Sequence, residues 1–245
     1  MAHQRKNLKI TDNLKFRVKM AENWVMPDLI RRGLVKHVLR DANCANRYQK
    51  VGEREVLFIH VPKTGGTSLA NSLSLPYGHI PASRYWANNP ERFENSFSFA
   101  FVRNPWDRLY SAFNYLFQSI GINTSRDVLW AEDNLQEFED FEHFVLSLKK
   151  NAVWHRIRRW PHFRNQMDWL SKPGDETILL DYVGRFETLY ADTETLADIL
   201  GVEIDLPHER RSRVDGPKDF TPEMIDVIGE RYRVDIKSLG YDGPN

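Results

Sequence analysis

The chain has 245 residues, of which 34 are Lys or Arg and 34 are Asp or Glu, so its formal net charge is zero. This length suits one large domain, and the balanced charge excludes a uniformly basic surface for binding nucleic acid. The composition, 41% hydrophobic and 28% charged, excludes disorder along the whole chain. One cysteine, Cys44, excludes a disulfide framework and a multi-cysteine metal site.

The charge is unevenly distributed along the chain. Residues 1–50 contain twelve basic and four acidic side chains, so the remainder carries an excess of acid. We expect residues 1–50 to form a basic N-terminal arm or helical extension ahead of a domain at 51–245. The arm either covers an anionic ligand or partner, or is a helix with solvated charged faces. No apolar run approaches the roughly 20 residues that span a bilayer, and the N-terminus lacks the apolar core of a secretory signal. These features predict a cytoplasmic protein with no transmembrane segment.

The first regular element is predicted at residues 56–61, a short apolar run rich in β-branched and aromatic residues. Such a run is typical of a strand buried on both faces. Pro62 ends it, Gly65 and Gly66 permit a tight turn, and residues 67–73 then predict the start of a helix.

A second strand is predicted at 97–102, and a helix follows directly. Asn104 is a favourable N-cap and Pro105 suits the first helical position. The apolar residues after it recur at helical spacing and predict one buried face. They are Trp106, Leu109, Tyr110, Phe113, Leu116 and Phe117.

The last predicted elements are a third buried strand at 177–183, a helix over 187–200 that Gly201 ends, and a final helix between Thr221 and Gly240. Strands alternating with helices predict an α/β fold with a parallel sheet covered on both faces.

The turn after the first strand has the features of an anion-binding loop. Glycines let main-chain N–H groups approach an anion, and a helix start adds partial positive charge. Lys63 supplies a full charge, and the hydroxyls of Thr67 and Ser68 supply donors. The Walker pattern, GxxxxGK followed by Ser or Thr, places its lysine after the glycines, whereas Lys63 precedes them, which disfavours an ATPase or GTPase. The alternative is an ordinary glycine-containing turn with a surface lysine.

A second cluster of polar residues follows the second strand. Arg103 leaves the strand end and Ser111 lies two helical turns further on, so both can reach one point beside the helix start, as a phosphate-binding pair requires. Arg108 shares a helix face with Ser111. Arg108 pairing with Asp107 or Glu94 at the surface is the alternative.

These two segments, HVPKTGGTSL (60–69) and FAFVRNPWDRLYSAF (99–113), resemble the nucleotide-binding signature of sulfotransferases that use 3′-phosphoadenosine 5′-phosphosulfate (PAPS). The closer likeness is to the carbohydrate-type branch, sulfotransferase family 2-like, which includes bacterial relatives of the Golgi uronyl and chondroitin enzymes. The resemblance implies a P-loop-type three-layer α/β fold with a central parallel sheet flanked by helices. It also implies that residues 51–245 form the catalytic domain.

The resemblance assigns the donor site residue by residue. It implies that PAPS is the donor and 3′-phosphoadenosine 5′-phosphate (PAP) the product, and that Arg103 and Ser111, with Arg108 beside them, bind the 3′-phosphate. The loop that it implies binds the 5′-phosphosulfate consists of Lys63, Thr64, Gly65, Gly66, Thr67 and Ser68.

The likeness continues through residues 166–170, 183–189, 200–208 and 231–241. Family members often read LPHxNxS followed by a tyrosine-rich stretch, whereas this chain reads LPHERRSRVDGPKDF. Ser212 keeps its place and is expected to contact the nucleotide. Arg210 stands where Asn is usual, and the tyrosines are missing.

Sulfuryl transfer to an alcohol needs a base and stabilisation of developing negative charge. Lys63 and the loop N–H groups suit the second task. The family resemblance and the pKa of imidazole favour His79 as the base, with Glu91 and Glu94 as reserves. The alternative is that His79 fixes a turn. No metal is required by this chemistry, and no clustered carboxylate or HExxH motif suggests one.

Residues 155–164 combine cations with aromatic rings. Arg156, Arg158 and Arg159 are candidates for binding an acidic sugar chain or another anionic acceptor. Alternatively, they form the solvated basic face of a helix whose Trp154, Ile157 and Trp160 point into the core.

We therefore expect a PAPS-dependent sulfotransferase that modifies a hydroxyl of a carbohydrate or glycolipid, with no nucleic-acid partner. The alternatives are a P-loop kinase-like phosphoryl transferase and a non-catalytic nucleotide-binding protein. A catalytic domain excised from a membrane-anchored enzyme also fits the family. The sequence leaves the acceptor and the oligomeric state open.

Overall fold

The computed structural model of the chain describes residues 42–206 and 220–244. The chain divides into two compact units, residues 1–45 and 46–245. In the first unit the structure describes the short helix α1 (Ala42–Ala45). Ser212, the other residues of the 207–219 loop and nearly all of the predicted N-terminal arm lie outside the described residues.

The second unit is built on a four-stranded sheet whose spatial order is the order of its strands along the chain. The strands are β1 (Tyr48–Val51), β2 (Arg54–Ile59), β3 (Phe97–Val102) and β4 (Tyr182–Arg185). β1 pairs antiparallel with β2, while β2, β3 and β4 run parallel to one another. The carboxyl ends of these three parallel strands therefore lie at the same edge of the sheet, which is where open α/β sheets bind ligands.

Helices flank the sheet, as the predicted three-layer α/β fold requires; α4 contacts β3 and α10 contacts β4. Their bounds are α2 (Gly66–Ser72), α3 (Ala82–Asn88), α4 (Pro90–Asn95), α5 (Pro105–Phe117), α6 (Arg126–Asn134), α7 (Phe141–Ser147), α8 (Asn151–Ile157), α9 (Met167–Leu170), α10 (Leu189–Leu200), α11 (Pro222–Arg231) and α12 (Arg233–Leu239), with a 3₁₀ turn at Pro161–Phe163.

The core forms because β2 and β3 bury side chains on both faces, as their unbroken apolar runs predicted. One cluster joins the sheet to α2 and α10, and burial of each large side chain in it contributes on the order of 2 kcal/mol. Its members include Val56, Phe58, Leu69, Phe99, Phe101, Leu196 and Leu200.

Helix α5 confirms the predicted start and apolar face. The Asn104 side chain accepts a hydrogen bond from the Trp106 N–H at 3.1 Å, and Pro105 occupies the first helical position. Four of the predicted apolar residues are fully buried and Tyr110 and Phe117 are half-buried. This cap fixes where α5 begins relative to the end of β3.

The strand at 97–102 is confirmed, whereas the strand at 56–61 begins and ends two residues earlier than predicted, since β2 stops at Ile59. The third strand, predicted at 177–183, is correct only in its last two residues, because β4 spans Tyr182–Arg185. The Leu179 N–H donates to the Leu170 carbonyl, and Ile178 forms only an isolated bridge with Ser171, so the start of this apolar run pairs outside the sheet. The true strand, β4, starts at Tyr182.

The helix predicted between Thr221 and Gly240 is two helices, α11 and α12, separated by Tyr232. The Tyr232 side chain is completely buried, and its hydroxyl donates to the Phe163 carbonyl at 2.8 Å. Gly240 ends α12 in the left-handed conformation, as predicted. Within residues 42–206 and 220–244, none of the helices has the length and apolarity needed to cross a membrane.

Candidate active site

The loop between β2 and α2 exposes unsatisfied main-chain donors. Lys63 and Gly65 both adopt positive φ, +69° and +76°, and no side chain caps the start of α2. Within the described residues, no carbonyl accepts a hydrogen bond from the N–H groups of Gly65, Gly66 or Thr67. Three free N–H donors at the start of a helix form a binding site for an anion, which would accept their hydrogen bonds.

Close packing holds this loop in shape. A Cβ atom on Gly66 would lie 2.5 Å from the His60 ring and 2.8 Å from Phe58, so only glycine fits there. The Thr64 hydroxyl donates to the Val61 carbonyl at 2.9 Å and is buried. Thr67 and Ser68 are half-buried in the first turn of α2. Thr64 thus shapes the loop, and Thr67 and Ser68 are its accessible hydroxyls.

Lys63 is a strained and electrostatically perturbed residue. A left-handed backbone costs a non-glycine residue roughly 1–2 kcal/mol, a strain that is typical of functional sites. The Lys63 ammonium nitrogen lies 4.0 Å from the Tyr115 ring centroid, and the Tyr115 hydroxyl donates to Asp127 at 3.1 Å. Burial, together with the nearby Arg103 charge, lowers the pKa of Lys63 to about 8, while Asp127 opposes this shift.

Arg103 directly follows Val102, the last residue of β3. Its guanidinium lies 4.3 Å from the Phe186 ring centroid. The same ring packs against the lysine loop, because a Cβ on Gly65 would lie 3.0 Å from Phe186. Phe186 therefore connects the two sequence motifs through space. Burial lowers the pKa of Arg103, and its Nε atom is buried with no hydrogen-bond partner among the described residues.

The main chain of Arg103 is fixed by Gln166. The Arg103 N–H donates to the Gln166 side-chain oxygen at 2.9 Å, and the Gln166 amide donates back to the Arg103 carbonyl at 2.7 Å. The Gln166 and Met167 N–H groups donate to the carboxylate of Asp235 at 2.7 and 3.0 Å. Asp235 is completely buried, and burial raises its pKa to about 6. This network locks the strand end against α9 and α12.

The Arg108 side chain is occupied by main-chain carbonyls. The Arg108 side chain is 0% exposed, and its guanidinium donates to the carbonyls of His162 and Arg164. The alternative of a surface ion pair is wrong for the same reason. Ser111, on α5, is 5% exposed. Arg108 therefore anchors the segment that carries His162.

His79 lies in the same site as Lys63. Its Nδ1 atom is 3.0 Å from the His60 carbonyl oxygen, which can only accept, so Nδ1 carries the proton and Nε2 is an acceptor. His79 is exposed to solvent at the edge of the site. Its ring also has protein beside it, since the His60 ring centroid is 4.8 Å away. Desolvation lowers the pKa of His79, and the hydrogen bond to His60 and the charge of Asp127 oppose the shift. A neutral imidazole results.

Other rings surround this histidine, and no motif or spacing in the sequence predicted that they approach it. The His162 ring lies 5.7 Å from His79 and stacks at 5.4 Å on Tyr115, and the Trp169 ring lies 5.9 Å from His79. Burial lowers the pKa of His162 well below its usual value, so it is neutral. His60 is likewise buried, and its pKa falls to about 3. The Lys63 ammonium contacts this aromatic cluster through the Tyr115 ring.

The model of the sulfotransferase family matches residues 48–242. The chain belongs to the sulfotransferase family. The match runs from β1 to beyond α12 and includes both nucleotide motifs and His79. No curated protein and no solved structure matched the chain.

In this sulfotransferase the three arginines predicted to bind the acceptor have other surroundings. Arg156 pairs with Glu137, Arg158 lies 4.0 Å from Asp168, and Arg159 is exposed. These contacts involve neither Lys63 nor His79. Trp154, Ile157 and Trp160 are buried, which confirms the prediction that they face the core.

Metal ligands are not grouped in the described part of this sulfotransferase. Within residues 42–206 and 220–244, no three His, Cys, Asp or Glu side chains are arranged to hold a metal ion. The charges that are arranged around the β2–α2 loop are instead the cations Lys63 and Arg103, whose mutual repulsion contributes to the low pKa of Lys63.

Proposed function

We propose that the protein transfers a sulfuryl group from PAPS to a hydroxyl of an acceptor, a carbohydrate or glycolipid. The observation that carries this proposal is the set of unsatisfied N–H groups at the start of α2, with Lys63 beside them. Fixed donors and a cation suit the charge that develops on the departing phosphate as the sulfuryl group leaves. The assignment of loop ligands is Lys63, Gly65, Gly66, Thr67 and Ser68, with Thr64 shaping the loop.

The 3′-phosphate of the donor is assigned to Arg103 and Ser111, and Ser212 is proposed as a further contact to the nucleotide. The buried, unpartnered Nε of Arg103 is an electrostatic cost that a phosphate oxygen would remove. Phe186 supports this role because it holds the guanidinium beside the lysine loop. Arg108 supports it indirectly, by fixing the segment next to Arg103.

His79 is proposed as the base. Its protonated Nδ1 is committed to the His60 carbonyl, so Nε2 can accept the proton of the acceptor hydroxyl while the new oxygen–sulfur bond forms and the bond to the 5′-phosphate breaks. The lowered pKa keeps the ring in the basic form at neutral pH. Residues 51–245 are the proposed catalytic domain, and Arg156, Arg158 and Arg159 remain candidates for contacting an acidic acceptor outside this centre.

Binding of a nucleotide panel, measured by calorimetry without metal, tests the donor assignment. We expect PAP to bind with a Kd on the order of micromolar and Lys63→Met to weaken it about tenfold or more. The matched control is Lys150→Met, an exposed lysine outside the site. Binding of ATP that requires magnesium, with no binding of PAP, would instead support a kinase-like phosphoryl transferase.

Replacement of His79 by Asn tests the base and separates an enzyme from a non-catalytic binding protein. Asparagine can still donate to the His60 carbonyl but cannot take up a proton at neutral pH. We expect His79→Asn to keep PAP affinity and to lower the rate of transfer from labelled PAPS, across a panel of sugar acceptors, by about 10²- to 10⁴-fold. Unchanged turnover would remove His79 from the mechanism.

A further inference from the structure

The segment that carries His79 has no regular structure of its own. Residues 75–81, between α2 and α3, form neither helix nor strand. A base needs a fixed position relative to the donor, because a displacement on the order of 1 Å can slow a reaction about 100-fold. Contacts from outside the segment must therefore hold His79 in place.

His60 contacts this segment in three ways. Its carbonyl oxygen is 3.0 Å from Nδ1 of His79, and its ring centroid lies 4.8 Å from the His79 ring. The Tyr77 ring also meets the His60 ring, edge to face, at 5.4 Å. His60 directly follows Ile59, the last residue of β2, and it is only 6% exposed. The base-bearing segment is thus fastened to a buried residue at the end of a central strand.

The same ring packs against the anion-binding loop. A Cβ atom on Gly66 would lie 2.5 Å from Cδ2 and 2.8 Å from Nε2 of His60. Gly66 is the first residue of α2, and its N–H is one of the three that lack a carbonyl acceptor within residues 42–206 and 220–244. One side chain therefore contacts both the donor loop and the base-bearing segment, and its size limits how closely the two can approach.

The chemistry of the His60 ring suits packing better than proton transfer. Burial, and to a smaller extent His79 and Lys63, lowers the pKa of His60 to about 3, so the ring is neutral at neutral pH. Its Nδ1 atom is buried with no hydrogen-bond partner in the described part of the chain. The ring instead stacks on Phe58, with the centroids 5.5 Å apart. What the His60 side chain supplies is the shape of a neutral ring.

We propose that His60 is a positioning residue for sulfuryl transfer, whose ring and carbonyl hold His79 at a fixed place beside the donor loop at Gly66. The residue acts through His79. The proposal rests on the proposed function in taking His79 as the base, but the hold on the His79 ring can be measured without donor or acceptor.

The tautomer of His79 tests this hold directly. NMR of protein carrying isotope-labelled histidine compares the wild type with His60→Ala, which removes the ring and keeps the main chain, and His79→Asn identifies the His79 signals. We expect Nδ1 of His79 to carry the proton in the wild type, and His60→Ala to show the mixed tautomers of a mobile imidazole. Unchanged His79 signals in His60→Ala overturn the proposal, as does a wild-type His79 protonated at Nε2 alone.

A double-mutant cycle with His79 tests the effect on transfer. His60→Ala should lower kcat with labelled PAPS about 10- to 100-fold when His79 is present, and less than about twofold in the His79→Asn background. The same fold loss in both backgrounds would show a purely structural role and overturn the proposal. Because PAP affinity and the single His79→Asn variant are measured separately, failure of the donor or base assignment is distinguishable from failure here.

Two further variants separate positioning from a general loss of stability. His60→Phe keeps a neutral ring and should retain kcat within about fivefold, whereas a loss as large as that of His60→Ala overturns the role of ring shape. Leu200→Ala is the matched control, because Leu200 is also buried but packs beside Gly52, in the β1–β2 turn at the opposite end of β2. It should lower thermal stability and leave kcat unchanged. An equal fall in kcat for Leu200→Ala and His60→Ala would contradict positioning.

Discussion

The Lys63 ammonium lies 4.0 Å from the centroid of the Tyr115 ring, although these residues belong to different motifs and different elements. The ring is itself fixed, because its hydroxyl donates to Asp127 and one face stacks on His162. Tyr115 therefore shields one side of the lysine from water and orients the ammonium. It also links α6 to the candidate active site through Asp127.

Removing this ring should weaken donor binding. Cation–π contacts contribute roughly 0.5–2 kcal/mol, so Tyr115→Leu should raise the Kd for PAP by about 3- to 30-fold. Tyr115→Phe keeps the ring and loses only the hydrogen bond to Asp127, so its affinity should stay within about twofold of the wild type. Calorimetric titration of both variants checks this. An equal loss in both would assign the effect to the hydroxyl and remove the role of the ring.

The pH dependence of turnover should follow the shifted pKa values of two groups. Lys63 must be protonated to bind an anion, and its pKa is lowered to about 8, so the rate should fall as pH rises through that value. His79 must be neutral to act as a base, and its lowered pKa should place the acid limb below the usual 6.5. A profile of kcat/KM from about pH 4.5 to about pH 10 covers the acid limb and the alkaline limb and measures the pKa of each.

Two variants assign the limbs of that profile. Lys63→Arg carries a charge that is not lost in this range, so the alkaline limb should disappear while activity is reduced. His79→Asn should lower the rate and remove the acid limb, while the alkaline limb stays in place. An alkaline limb that persists in Lys63→Arg would mean that another group titrates there.

Asp235 should be essential for stability because it holds two main-chain N–H groups in the core. Its carboxylate accepts the N–H groups of Gln166 and Met167 in a fully buried position. Asp235→Ala leaves both donors unsatisfied and should lower the free energy of unfolding by about 2–5 kcal/mol. Urea denaturation measures this loss, and PAP affinity should also fall, because Gln166 holds Arg103. Asp235→Asn keeps an acceptor and should be milder; equal stability of all three proteins would contradict the role.

Local patterns predicted the parts of the fold that local physics determines. The apolar run of β3, the cap at Asn104 and the glycine that ends α12 each depend on neighbouring residues, and each lies where it was predicted. The run at 177–183 misled because apolarity alone does not say which partner a strand takes. Its first half pairs near Leu170, and the sheet begins only at Tyr182.

The parts of the candidate site that could be predicted were its two motifs and, from the family resemblance, His79. Lys63 and Arg103 carry recognisable chemistry at the ends of adjacent parallel strands, and the topology brings them together. Tyr115, His162 and Phe186 reach the site through packing across long separations, which no spacing rule encodes. For Arg108 the motif suggested a ligand contact that the structure does not show. This charged residue is buried and donates to the main-chain carbonyls of His162 and Arg164.

The preference for PAP over adenosine 5′-phosphate, which lacks the 3′-phosphate, tests the central claim most directly. If Arg103 binds that phosphate, the wild type should prefer PAP by at least about tenfold, and Arg103→Met should reduce the preference to about threefold or less while adenosine 5′-phosphate binds as before. Lys150→Met should retain the full preference. A preference that survives unchanged in Arg103→Met would contradict the account.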